Sequence, residues 1–132
     1  MPRNSGFEIS TSKRCELVDL TPRVQKAVGE AGLQVGTVTV FCPHTTAAIT
    51  INENADPDVR TDLLMALGRA VPDQGFRHAE GNSDAHVKAS LVGPSVTVLV
   101  EGGRLKLGTW QSIFFCEFDG PRQRKVWVQT MP

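Results

Sequence analysis

The chain has no excess of charge of either sign. Its 132 residues carry 14 Lys and Arg against 14 Asp and Glu. That balance excludes a polyanion binder driven by net charge, and with an ordinary apolar fraction it excludes a disordered polyelectrolyte. Cysteine is sparse. Cys15, Cys42 and Cys116 are odd in number, far apart and without a CxxC pair, so neither a disulfide scaffold nor a zinc ribbon is encoded. They read as reduced, strand-buried thiols of a cytosolic protein. No stretch approaches 18 consecutive apolar residues, and the N-terminus lacks the apolar run of a secretory signal. The expectation is a soluble cytoplasmic protein with no membrane partner. No aromatic–basic interleaving supports nucleic-acid binding. Internal repeats and low-complexity linkers are also missing, so residues 1–132 read as one domain, long enough to bury a core without disulfides or structural metal.

What is present alternates between strand and helix signals. Phe7 to Leu20 alternates weakly, as one or two short strands would. Thr21-Pro22 opens a helix, with threonine expected to cap it and proline suited to the first helical position. Val24, Ala27, Val28 and Ala31 share a face, and Gly32 is placed to end it. Val35 to Phe41 and Thr45 to Ile51 alternate with period two, with a bend at Pro43 between them. Asp56-Pro57-Asp58 starts a helix running to about Ala70, with Val59, Leu63, Leu67 and Ala70 as its apolar stripe. Gly81-Asn82-Ser83 leads into a short helix through Leu91. Val96, Val98 and Val100 alternate into a Gly102-Gly103 hairpin. Gln111 to Phe118 and Arg124 to Gln129 read as a further strand pair joined by Asp119-Gly120-Pro121-Arg122. Strands outnumber helices and hairpins dominate. The expected class is α+β, a mostly antiparallel sandwich or barrel-like sheet with two or three helices.

Histidine is rare too, and its placement is the strongest site signal. His78 and His86 stand eight positions apart, and His44 lies upstream in Cys42-Pro43-His44-Thr45-Thr46. Imidazole titrates near neutral pH and binds borderline metals. Period two puts His44 on the strand face of Thr46, Ala48 and Thr50, opposite Ala47, Ile49 and Ile51, which points it toward a cleft or an interface. Glu53 and Asn54 end that strand; their plain readings are a solvated charge and a turn or capping residue. His86 falls in the first turn of the short helix, whose free amides suit a phosphate or carboxylate, with Lys88 supplying charge. Asp84 opposes an anion there unless it caps the helix or touches a metal. Three converging histidines would make a metal site with an open position, and neighbouring carboxylates could orient the rings. The spacing matches no standard metal motif, and the plain alternative makes His78 a loop residue and His86 a capping one. Arg122-Gln123-Arg124-Lys125 could grip a phosphate or be a solvated hairpin tip. Trp110 and Trp127 read as core or interface aromatics, and Cys42 as a structural thiol.

One set of stretches carries a resemblance over nearly the whole chain. His44-Thr45-Thr46-Ala47-Ala48-Ile49-Thr50-Ile51-Asn52-Glu53-Asn54 and Asp56-Pro57-Asp58-Val59 begin it. His78 through Lys88 continues it, and Ser95-Val96 through Gly102-Gly103-Arg104-Leu105-Lys106-Leu107-Gly108-Thr109-Trp110-Gln111 is its most specific part. The chain resembles the YjbQ-like family, labelled secondary thiamine-phosphate synthase enzyme. It departs at Asn52, where glutamine is expected, at Phe76 or Arg77, where tyrosine often precedes the histidine, and at Phe114-Phe115.

The resemblance implies a compact α+β fold, often a homotrimer, with a polar pocket gathering His44, His78 and His86 around a metal or an anion. It implies a divalent metal cofactor, zinc favoured over magnesium. It also implies a weak thiamine-phosphate synthase activity, joining a pyrimidine pyrophosphate to a thiazole phosphate with loss of pyrophosphate. The functional expectation is an enzyme acting on a phosphorylated small molecule. His86, Glu53 and Asp84 are its candidate catalytic groups, and Thr45, Asn54, Lys88, Gln111 and Arg122 its candidate substrate contacts. The alternatives are a non-catalytic trimeric metal- or anion-binding protein, and a structural oligomer whose histidines satisfy an interface.

Overall fold

The computed structural model describes all 132 residues. In chain order the elements are β1 (Arg3–Ser10), β2 (Glu16–Asp19), α1 (Thr21–Glu30), β3 (Val35–Phe41), β4 (Ala47–Glu53), α2 (Pro57–Ala70), α3 (Ser83–Val92), β5 (Ser95–Glu101), β6 (Arg104–Leu105), β7 (Gln111–Glu117) and β8 (Gln123–Met131). They form a five-stranded sheet in the order β1-β8-β3-β5-β6 and a three-stranded sheet in the order β2-β7-β4. Every strand pair is antiparallel. The class is the expected α+β. No helix is long and apolar enough to cross a membrane.

Residue alternation explains which strand lies where. β8 alternates exposed and buried along its whole length, so one of its faces meets the core and the other solvent. β7 is buried from Ser112 to Glu117, because it is the central strand of its sheet and is covered on both faces. Ile113 and Phe115 face the main core with Ala47, Ile49, Val126 and Val128. Cys116 and Phe118 face a second, smaller core with Ala48, Ala85 and Ala89. Thus α3 packs on the outer side of β4 and β7, and small alanines on both elements allow the close approach. Ala48 is therefore buried beneath a helix, and the strand face that carries it is closed there.

Three local expectations are corrected. The first concerns Thr21, which does not cap α1. Leu20 occupies the cap position without a side-chain bond, while Asp19 Oδ1 accepts from the Thr21 N–H and Thr21 Oγ1 accepts from the Ile113 N–H. The hydroxyl ties the helix start to β7 instead. The second concerns α2. Asp56 does cap it, accepting from the Asp58 N–H at 2.9 Å, but no residue of the helix is fully buried. Its stripe is only half covered, and Ala70 is exposed. The third concerns Gln111–Glu117 and Gln123–Met131. They are not a hairpin pair but belong to different sheets, so the Asp119–Arg122 segment is a crossover between layers. Two strands adjacent in sequence look like a hairpin unless something shows that each already has two other neighbours.

Candidate functional site

β3 ends at Phe41 opposite Trp127 of β8. Beyond it Pro43 turns the chain away, and the next donor on that side of β8 would be left without a strand partner. His44 supplies one: its Nε2 accepts from the Lys125 backbone N–H at 2.8 Å. A neutral imidazole that accepts at Nε2 carries its proton on Nδ1, so Nδ1–H is the donor that His44 offers to anything bound nearby. Burial first, and the Arg124 charge second, hold the His44 imidazole below its ordinary pKa.

α3 brings the second histidine to the same place. Asp84, Ala85, Lys88 and Ala89 form its buried face. Asn82, His86 and Ser90, spaced by four, lie along a neighbouring stripe. His86 and His44 together line two adjoining cavities, of about 360 and 310 Å³. Thr45 lines both as well, and Arg122 lines the larger. His78 is exposed but touches His86 edge-on, with ring centroids 5.6 Å apart, and its Nε2 lies 3.9 Å from Glu80 Oε1.

Beneath the larger cavity lies a buried ion pair. Glu117 and Arg124 have side chains 0% and 2% exposed. Glu117 accepts from Arg124 Nε at 2.8 Å and from a second Arg124 nitrogen. It also accepts from Thr11 Oγ1 at 2.8 Å and from the Asp119 N–H at 3.0 Å. Burial alone would push the Glu117 carboxyl up, but these hydrogen bonds and the guanidinium charge outweigh it and hold the group below the usual carboxylate range. Arg124 also donates to Thr46 Oγ1 at 2.9 Å. Asp119 accepts from Asn82 Nδ2 at 2.8 Å and from Arg122 at 3.1 Å. The cavity wall therefore holds two guanidiniums, each pinned by its own carboxylate.

The remaining expected residues lie elsewhere. Asp84 and Lys88 sit under α3 rather than in the cavity. Asp84 is held by Arg14 at 2.9 and 3.2 Å and lies 3.4 Å from Lys88 Nζ. Burial acts against ionisation of Asp84, and the two cations overcome it, leaving its pKa lowered. Glu53, Asn54 and Gln111 stand at the opposite end of β4 and β7. Glu53 pairs with Gln111 in register, and Asn54 donates to Asp19 Oδ2. Glu53 stands six residue steps along β4 from Ala47, roughly 20 Å at the usual rise. The structure thus gathers His44, His86, Thr45 and Arg122, keeps His78 at the rim, and separates the other five.

No three His, Cys, Asp or Glu side chains stand together as a metal site. His44 commits Nε2 to a backbone N–H, and His78 and His86 meet edge to face. As arranged, these groups do not fit a three-histidine cage.

Glu117, Asp119 and Asn82 carry no site reading from sequence, and Arg124 is there only as one of the run Arg122–Lys125, whose solvated-tip alternative fails for Arg124 because its side chain is buried. One signal for Arg124 was available. It falls on the inward register of β8 with Val126 and Val128, and a charge at an inward position demands a buried partner. The largest cavity, about 520 Å³, lies elsewhere, beside the stacked rings of Phe41 and Trp127 on the outer face of the five-stranded sheet. It holds no titratable side chain, so chemistry favours the histidine cavity.

Relatives share this framework. Residues 5–132 match the family described as UPF0047 protein YjbQ-like. A UPF0047 protein of Methanocaldococcus jannaschii is 52% identical over 126 residues, covering 95% of this chain and 91% of its own length. YugU of Bacillus subtilis is also 52% identical, covering 95% of this chain and 96% of its own. A crystal structure of a family member from Clostridium acetobutylicum superposes with a TM-score of 0.94 at 54% identity, covering 96% and 99% of the two chains. A Sulfolobus solfataricus protein, described as of unknown function, superposes with a TM-score of 0.94 at 32% identity, covering 98% and 96%. With a shared fold, high identity and a match from residue 5 to residue 132, the chain belongs to the YjbQ-like UPF0047 protein family.

Proposed function

We propose that the chain is an enzyme that binds a phosphorylated small molecule in the histidine cavity. The observation that carries this reading is the convergence of His44 and His86 with Arg122 and Arg124 around one polar cavity. Guanidiniums match phosphate oxygens with paired donors. In the proposed roles Arg122 and the buried Arg124 hold the phosphate, and His44 Nδ1–H adds a fixed neutral donor. His86 passes a proton to or from the reacting oxygen, the usual task of a positioned imidazole. The pyrimidine–thiazole transfer implied by the resemblance is one reaction such a site would serve, because departure of pyrophosphate needs charge neutralisation more than a strong nucleophile.

The test is turnover of a panel of phosphate esters, with the pyrimidine pyrophosphate and thiazole phosphate pair included. The expected result is measurable turnover that falls about 10²–10⁴-fold in His86→Ala, the usual worth of a general acid or base. Full activity in a folded His86→Ala protein overturns the role of His86. Absence of both turnover and phosphate binding in the wild type overturns the reading.

The same proposal extends to assembly as a homotrimer. It is supported by Phe41, Leu99, Trp127 and Met131, all exposed on the outer face of the five-stranded sheet, an apolar patch of the kind that subunits bury. Sedimentation equilibrium at three subunit masses, lowered by Trp127→Lys, is expected; a monomer mass for the wild type refutes it.

A further inference from the structure

The two cavities at the histidines differ in chemistry. One is walled by charged and polar groups, among them Arg122, Arg124, Asp119 and Asn82. The other is walled by Ala47, Ala89, Pro94 and Ser90. His44, Thr45 and His86 belong to both and therefore stand at the junction. The helix shows the same order: Asn82 lines the charged lobe, His86 the junction and Ser90 the apolar lobe. Asn82 to Ser90 spans eight residues of helical rise, about 12 Å.

We infer that the ligand is a phosphate ester that lies across both lobes. Its phosphate occupies the arginine lobe, its carbon part is a single ring or a short branched chain in the alanine–proline lobe, and its reacting bond is at the histidines. This rests on the phosphate reading proposed above and adds the organic half of the molecule. Three features argue for it. Ala47 and Ala89 are nearly buried, at 2% and 8% exposed, and at these positions a larger side chain would occupy the lobe. The lobe is lined by no Arg, Lys, Asp or Glu, so it offers a phosphate no guanidinium or ammonium partner and offers a carbon group the Ala47, Ala89 and Pro94 side chains. Each lobe, at about 360 and 310 Å³, is at the small end of the roughly 300–1,000 Å³ range of small-molecule sites, which excludes a bulky polycyclic group.

Titration calorimetry with inorganic phosphate and phenyl phosphate tests this on the wild type, Ser90→Leu and Arg122→Ala. Ser90 is exposed at the lobe wall, so leucine there fills space without touching the core. Burying one ring is comparable to burying a Phe side chain, about a ten- to hundredfold gain in affinity. The wild type is therefore expected to prefer phenyl phosphate by at least about tenfold. Ser90→Leu should erase that preference and leave inorganic phosphate unchanged. Arg122→Ala should weaken both ligands. Equal affinity for both ligands in the wild type, or a preference that survives Ser90→Leu, overturns the two-lobe inference and leaves the phosphate reading standing. Failure of both ligands to bind the wild type overturns the phosphate reading itself and this inference with it.

Discussion

Replacing Glu117 with alanine should be among the most damaging single changes in this chain. The side chain is fully buried and accepts hydrogen bonds from Arg124, Thr11 and the Asp119 backbone. Its removal leaves the Arg124 guanidinium, 2% exposed, as an uncompensated charge between two sheets. Breaking one side of a buried pair typically costs about 3–5 kcal/mol. A domain of this size has roughly 5–15 kcal/mol in total, so Glu117→Ala should lose about a fifth or more of its stability. In a thermal melt, at roughly 3–5 °C per kcal/mol for such a chain, the midpoint should drop by about 10–25 °C. Glu117→Leu combined with Arg124→Met removes both charges at similar volume and should recover most of that loss, since apolar replacements of buried pairs are often neutral or stabilising. The double variant should nevertheless bind phosphate more weakly, because Arg124 lines the cavity. Urea denaturation of Glu117→Leu, Arg124→Met and the double variant closes a cycle that gives the coupling energy. A Glu117→Ala cost below about 1 kcal/mol, the scale of an exposed pair, or a double variant no more stable than the single, would refute the account of this pair.

Three further outcomes follow from the same region. His44 has its pKa lowered in the folded state, so the unfolded chain binds more protons on acidification and stability falls as pH drops below about 6.5. His44→Gln keeps an acceptor for the Lys125 N–H and should flatten the decline of the urea midpoint below that pH; an unchanged slope in the variant refutes it. The Glu117 carboxyl has the opposite origin, a charged form favoured by its partners. Its contribution is present above the ordinary carboxylate pKa near 4.3 and is lost as pH falls further. Glu117→Gln should therefore lose the part of the acid transition that the wild type shows below about pH 4. Gly120 lies under the same pair. A Cβ there would stand 2.5 Å from the Lys13 carbonyl oxygen and 2.7 Å from Thr11 Oγ1, so Gly120→Ala should cost about 1–3 kcal/mol by overpacking. A melt indistinguishable from wild type would show that the crossover can move.

Legibility from the sequence followed the range of the interaction. The helices Pro57–Ala70 and Ser83–Val92 and the Gly102-Gly103 hairpin follow from proline, capping aspartate and glycine within a few residues of each end, and they stand where those signals put them. His44 and His86 were identifiable as chemistry-bearing groups because imidazole is rare in this chain. The grouping of Glu53, Asn54 and Gln111 with the histidines was not legible. A strand places its two ends roughly 20 Å apart, and nothing in the local pattern says which end will carry the site.

Residue identity and spacing alone determined the α+β class, the strand and helix inventory and two of the imidazoles at the cavity. These depend on backbone preferences and side-chain periodicity, which act over a few residues. The tertiary structure alone decided that β7 and β8 lie in different sheets and that Glu117 meets Arg124 between them. It alone also placed the loop before β4 beside α3, so that two adjoining cavities share the imidazoles, one lined by guanidiniums and the other by alanines and proline. Those facts depend on which distant segments bury each other, and the chain encodes that only through the packing of the whole core.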